Sequence, residues 1–197
     1  MQRPLFVTIL CLLFQTATFA QAAPSVQESA PSAPFELGTV QLTAPQIQAF
    51  QQRGGQKLND FQELGILSAD TSLAADFRAQ AHKMLLELFE TTDEKLFVFD
   101  KREQTLVAIS AQQYADQLLA AAPNIQALRF EWSDQPGPGL QTDNQLYWTQ
   151  QATVLVEGHD QALHCQIQLV AIRAFRQTGT YGQISWKTYI KGMSLLP

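Results

Sequence analysis

From Ile125 to the C terminus the chain is a succession of four strand-like runs: "IQALRFEWS", "QLYWTQQATVLVEG", "QALHCQIQLVAIRAF" and "GQISWKTYIKGMSLL". Between them stand "DQPGPGLQTDN", "GHD" and "RQTGTY", which carry the Gly, Pro, Asp and Asn that turns require. Four such runs joined by short turns predict an antiparallel meander. Everything ahead of it must therefore supply the layer that covers one face of that sheet.

The segments ahead are helical in pattern. In "APQIQAFQQRGGQKLNDFQELGIL" the positions Ile47, Phe50, Gly54, Leu58, Phe61 and Gly65 recur at three- and four-residue steps, and Pro45 suits a first turn. The Gly54-Gly55 pair costs on the order of 1 kcal/mol per residue against Ala, so a bend or a close approach to a neighbour is expected there. A second helix is predicted over "DTSLAADFRAQAHKMLLELFE", with Leu73, Phe77, Ala81, Met84, Leu85 and Leu88 inward and Asp70 or Ser72 as its cap.

Two short β-prone runs, "KLFVFD" and "QTLVAI", flank the charged turn "DKREQ" and predict a small hairpin. "SAQQYADQLLAAAPN" predicts a third helix, with Ser110 and Gln113 spaced as a capping box, Tyr114, Leu118 and Ala121 or Ala122 inward, and Pro123 as its stop. Helices first and an antiparallel meander last make an α+β domain: N-terminal helices packed on a curved antiparallel sheet, over residues 45–197.

The N terminus, "MQRPLFVTILCLLFQTATFAQAAPS", reads as a secretory signal peptide over residues 1–22. It has one early Arg, an apolar run from Leu5 to Phe14 and an A-x-A signal at Ala20-Gln21-Ala22. The run falls short of the ~18 uninterrupted apolar residues of a bilayer span, and no later segment reaches them. Residues 23–44, which open "APSVQESAPSAP", are read as a flexible lead-in, since so little apolar side chain cannot offset ordering entropy. The expected location is periplasmic or secreted.

With Cys11 lost in the signal peptide, Cys165 stands alone and no intrachain disulfide can form. A net charge of -5 without a long basic run leaves no electrostatic footprint for nucleic acid or anionic lipid.

The stretch "GHDQALHC" gathers His159, His164 and Cys165. Strand alternation puts Cys165 in the apolar row with Leu163, Ile167 and Leu169, and His164 in the opposite row with Gln166 and Gln168. His159 falls in the turn. Two side chains on opposite faces cannot share a metal that needs three or four ligands, and a cysteine in an apolar row is a core residue rather than a nucleophile. No metal and no cofactor is expected. The mature chain has no GxSxG, P-loop, HExxH, GxGxxG or CxxC motif, so no catalytic residue is nominated.

Aromatics are the remaining signal. Trp132, Trp148 and Trp186 fall on three predicted strands, with Tyr147, Tyr181 and Tyr189 close in sequence. Tyr114, Trp132, Tyr147, Trp148, Trp186 and Tyr189 form a candidate ligand-pocket set on the concave side of the sheet. On the outer face, Gln150, Gln151, Thr153, Gln166, Gln168 and Thr188 would give a polar, uncharged surface suited to a homodimer contact.

The order of elements, with "YADQLLAAAPNIQALRFEWSD" and the terminal "ISWKTYIKGMSLL", resembles the cone-shaped fold of the nuclear-transport-factor-2-like superfamily. It is nearest to secreted bacterial members of unassigned function; the matching positions are Tyr114, Leu118, Trp132, Trp186 and Lys187. The resemblance implies a bent sheet wrapping helices, with a pocket at its open end. Catalytic members such as ketosteroid isomerase use a pocket carboxylate that no Asp or His of this chain matches. The expected function is a non-catalytic binding module for a small apolar ligand or a protein partner. The enzymatic alternative is a cofactor-free isomerase, cyclase or hydrolase with Asp100 or His164 as base and Tyr147 or Tyr189 as donor, which requires such a group within about 3 Å of a reacting atom in a closed pocket.

Overall fold

A computed structural model describes residues 40–133, 135–155, 163–178 and 181–196, with the backbone alone at residues 176–178, 181 and 182. The segment read as a signal peptide, most of that read as a lead-in and His159 lie outside the described residues, as does the Tyr181 side chain. The described chain runs α1 (Ala44–Ala69), α2 (Ala75–Leu86), β1 (Lys95–Asp100), β2 (Thr105–Ser110), α3 (Ala111–Leu119), β3 (Arg129–Trp132), β4 (Leu140–Gln141), β5 (Gln145–Leu155), β6 (Leu163–Thr178) and β7 (Tyr181–Leu195). Three helices pack with a strongly curved antiparallel sheet ordered β3-β5-β6-β7, an α+β half-barrel.

α1 passes through the Gly54-Gly55 pair as one continuous helix, and its buried stripe is Phe50, Gly54, Leu58, Phe61, Gly65 and Ser68. Pro45 stands in its first turn, and Gln46 Oε1 accepts the Thr43 N–H at 2.9 Å. The two glycines act differently. A Cβ on Gly54 would lie 2.6 Å from Cζ2 of Trp148, whereas one on Gly55 would meet nothing within 4 Å. Gly54 thus lets the helix backbone rest on the indole of β5, and Trp148 is 2% exposed beneath it.

α3 carries the expected capping box: Gln113 N donates to Ser110 Oγ at 3.1 Å and Ser110 N donates to Gln113 Oε1 at 3.0 Å. Its inner stripe is Ala111, Tyr114, Ala115 and Leu118. Ala121 and Ala122 do not extend it. The helix ends at Leu119, and Ala121 takes φ 52°, the left-handed conformation of a C-terminal cap, with Ala122 N bonded to Gln117 O at 2.9 Å.

α2 departs further from expectation. Its N-cap is Ala74, with no side-chain cap, because the Asp70 carboxylate is occupied one turn earlier by the Ser72 N–H and hydroxyl at 2.9 and 2.7 Å. Only Ala81 and Leu85, with Leu88 just beyond the helix, are buried; Phe77 and Met84 are exposed. Among the described elements α2 packs chiefly on α1 and α3, so a stripe narrower than its apolar pattern is covered.

In the sheet, β5 turns Leu146, Trp148, Gln150, Ala152 and Val154 inward, and β6 turns Cys165, Ile167, Leu169, Ala171 and Arg173 inward. Gln150 and Thr188 are therefore buried inner-face residues; the outer face keeps Gln151, Thr153, Gln166 and Gln168 from the sequence-derived set. The β6–β7 pairing slips at Leu169. Gln168 pairs with Gly192 and Leu169 with Ile190, so Lys191 is the extra residue of a bulge on β7, next to Gly192 at φ 145°. Across this bulge Lys191 Nζ reaches Glu90 Oε2 at 2.5 Å and Glu94 Oε1 at 3.2 Å.

β4 was not foreseen. It pairs Leu140 and Gln141 with Tyr147 and Leu146 of β5, while β3 pairs with residues 152–155 of the same strand. β3 and β4 thus form one edge strand interrupted by the Pro- and Gly-rich loop. Gly137 N donates to Thr149 O at 2.7 Å and holds that loop against the sheet.

Candidate functional site

The concave side of the sheet is filled. Phe61 packs at ring-centroid distances of 5.7 Å from Phe89 and from Tyr114 and 5.9 Å from Phe130. Together with Trp148 and Leu58 these rings close the interior around α1. Open space is left on the two flanks of that helix.

The larger space is a cleft of about 710 Å3 beside β7. α1 contributes Arg53, Gln56, Lys57 and Asp60, which follow helical spacing along one flank. The chain leaving α2 contributes Glu87, Phe89 and Glu90, and β7 contributes Trp186, Lys187, Thr188 and Tyr189. At its floor Trp186 meets Phe50 at 5.3 Å between centroids, and the Arg53 guanidinium lies 5.7 Å from the Phe50 ring centroid.

The wall formed by β7 is an open sheet edge. Among the described residues β7 pairs with β6 on one side, and on the other it has only the parallel bridge between Ile190 and Phe89. Ile190 N donates to Leu88 O at 2.9 Å, away from β6. Alternate residues of a strand direct their backbone groups to the same side, so Thr188 and Trp186 present N–H and C=O to the cleft. Such an edge is a template for another strand.

Charge in the cleft is abundant and largely uncommitted. Glu90 is held by Lys191, but among the described residues Arg53, Lys57, Asp60, Glu87 and Lys187 enter no ion pair. Lys191 itself is held above the ordinary lysine range, chiefly by its hydrogen bond to Glu90, so it stays charged and ties the chain between α2 and β1 to the bulge.

The six sequence-derived aromatics are not brought together. Trp186 and Tyr189 line this cleft, and Trp132 lines a second, smaller groove on the other flank of α1. Trp148 is core, and so is Tyr114, whose hydroxyl accepts the Leu128 N–H at 2.7 Å and whose phenol is pushed up by burial. Tyr147 faces the outer side, where its hydroxyl bonds Gln145. The two candidate bases, Asp100 and His164, are also separated from the cleft. The Asp100 carboxylate closes the β1–β2 turn by accepting from Asn124 Nδ2 at 3.1 Å and from Arg102 N at 2.8 Å, and these bonds, the Asn124 one foremost, hold it below the usual carboxylate range. His164 is exposed on the outer face beside Thr153, while Cys165 points inward with its thiol pushed up to about 11 by burial.

Among the described residues no group of three or more His, Cys, Asp or Glu is placed to hold a metal, and no helix is long and apolar enough to cross a membrane. No family model matches the chain, and no curated protein matches it. The cleft residues that the aromatic pattern did not reveal come from three distant segments. The one sequence signal for them is the charged row Arg53, Lys57 and Asp60 beside the apolar stripe of α1.

Proposed function

We propose that this chain is an exported, non-catalytic binding module of the nuclear-transport-factor-2-like cone class, and that it holds an extended peptide segment of a protein partner against the free edge of β7. The observation that carries this reading is the coincidence, in one cleft, of strand groups at Trp186 and Thr188 with five charged side chains, none of which is paired among the described residues. A strand added to an edge gains affinity from main-chain hydrogen bonds and specificity from the side chains beside it. The polar lining favours such a partner over a small apolar ligand, because an apolar molecule would leave those charges desolvated and unpaired. Export rests on the signal-peptide pattern, and N-terminal sequencing of the secreted product should find Ala23 first.

The test is selection from a library of displayed peptides on the mature protein, followed by titration of the recovered sequences. Bound peptides should carry alternating charges, lose affinity as salt is raised, and fail on Thr188→Pro, which removes one edge donor without touching the β6 pairing. Selection that returns nothing, or peptides indifferent to Thr188→Pro and Lys187→Glu, would refute the reading.

A further inference from the structure

On the flank of α1 opposite the cleft, Gln48, Gln52, Gly55 and Asn59 follow one another at four- and three-residue steps, with Gln51 beside them. They face Trp132, Ser133 and Pro136 of the interrupted edge strand and Gln150 of β5 across a groove of about 290 Å3, at the lower end of the roughly 300–1,000 Å3 of small-molecule sites. Among the described residues no ionisable side chain lines it.

Apart from the Ser133 hydroxyl its polar side chains are amides, and two of them are fixed. Gln51 Nε2 donates to Gly137 O at 3.0 Å, which pins the Pro- and Gly-rich loop to α1. Gln150, 6% exposed, donates its Nε2 to Ser133 O. Each of these bonds uses NH2 capacity and leaves the acceptor capacity of the amide oxygen unspent by it. Trp132 is held by stacking on Phe130, centroids 6.1 Å apart and planes 29° from parallel. Gly55 adds no side chain, so the floor between Gln52 and Asn59 stays open.

This set has a definite complement. A carboxamide both donates and accepts, as a hydroxyl does, so a row of amides pairs with a row of hydroxyls without either side carrying charge. The face of an indole is the negative part of its quadrupole and takes the C–H groups on the flat side of a pyranose ring. An anionic ligand finds no cation among the described lining residues, and an aliphatic one would strand the amides. We propose that this groove is a binding site for a short segment of a neutral glycan, with Trp132 as the stacking platform and Gln52, Asn59 and Gln150 as hydroxyl partners. It shares no lining residue with the β7 cleft and stands or falls independently of the peptide reading.

The test is calorimetric and fluorescence titration of the mature protein with four neutral tetrasaccharides (β-1,4-linked glucose, N-acetylglucosamine and mannose, and α-1,4-linked glucose), with tetragalacturonate as the charged counterpart. At least one neutral tetrasaccharide should bind and shift the tryptophan emission, with tetragalacturonate weaker. Gln52→Ala and Asn59→Ala should each weaken binding several-fold. Trp132→Ala should weaken it by roughly tenfold or more. Gly55→Leu, at a position with free space around it, should abolish binding in a protein whose melting temperature is kept, which covers the case in which Trp132→Ala fails to fold. Lys187→Glu, in the cleft, should leave glycan binding unchanged. Failure of all four neutral sugars at millimolar concentration, preference for tetragalacturonate, or binding unaffected by Gly55→Leu would overturn the proposal.

Discussion

The two flanks of α1 use one helix to opposite ends. On the β7 side Arg53, Lys57 and Asp60 stand over an open sheet edge; on the β3 side Gln48, Gln52 and Asn59 stand over an edge strand broken by a Pro- and Gly-rich loop. Between them runs the same buried stripe, seated on Trp148 through Gly54. The stripe fixes where the helix lies. The residues on either side of it are mostly exposed, and they carry the difference between a charged cleft along the β7 edge and a groove that, among the described residues, is lined by amides and no ionisable side chain. A polar flank beside a filled core is where this fold has room for chemistry.

The seat is the point most easily broken. Gly54→Ala should place a methyl inside the van der Waals shell of a buried indole and cost about 3 kcal/mol or more, lowering the midpoint of urea unfolding and disturbing both grooves together. Gly55→Ala, one residue on, should stabilise by about 0.5–1 kcal/mol through helix propensity, since its Cβ meets nothing. If the two substitutions behave alike, the helix is not seated as described.

Trp186→Ala should remove the aromatic floor of the cleft and its contact with Phe50, abolishing peptide binding and costing about 1–3 kcal/mol for a half-buried ring, with the amide groove untouched. Equal loss at both grooves would mean that the flanks are coupled.

The Lys191 bulge gives a pH signature to the charged flank. Its pKa is raised by Glu90 and Glu94, so the stabilisation is fully present below the unfolded-state lysine pKa of about 10.4 and is lost as pH rises through the higher folded value. Lys191→Met should therefore flatten the alkaline limb of a melting-temperature profile and leave the limb below pH ~9 parallel to wild type. An effect as small as that of Gly55→Ala is expected away from both flanks: Ala121→Gly should stabilise by about 0.5–1 kcal/mol by relieving the left-handed φ of 52° at the end of α3.

Much of the frame could be read from residue order. The meander, the Ser110–Gln113 box and the α1 stripe each rest on local chemistry, a period of two, a reciprocal cap and a period of 3.6, and local chemistry survives folding. The inward turn of Gln150 was also within reach, because Leu146, Trp148, Ala152 and Val154 set the phase of β5 and Gln150 shares it. The exposure of Phe77 and Met84 was not, since an apolar pattern does not say how many neighbours will arrive to cover it. Nor were the grooves, whose walls come from segments distant in sequence, as Arg53 and Trp186 or Gln52 and Trp132 are. Aromatic content pointed to Trp132 and Trp186 but placed them in one pocket, because a row of rings in sequence does not reveal that a helix will lie between them.

The open edge of β7 is the claim on which the account turns, and residue-resolved amide hydrogen exchange of the free protein tests it without any ligand. The N–H groups of Trp186 and Thr188 should exchange with little protection, while those of Lys187 and Tyr189, directed at β6, should be slow. Equal, strong protection of all four would mean that the edge is already paired, and the cleft could not accept a strand.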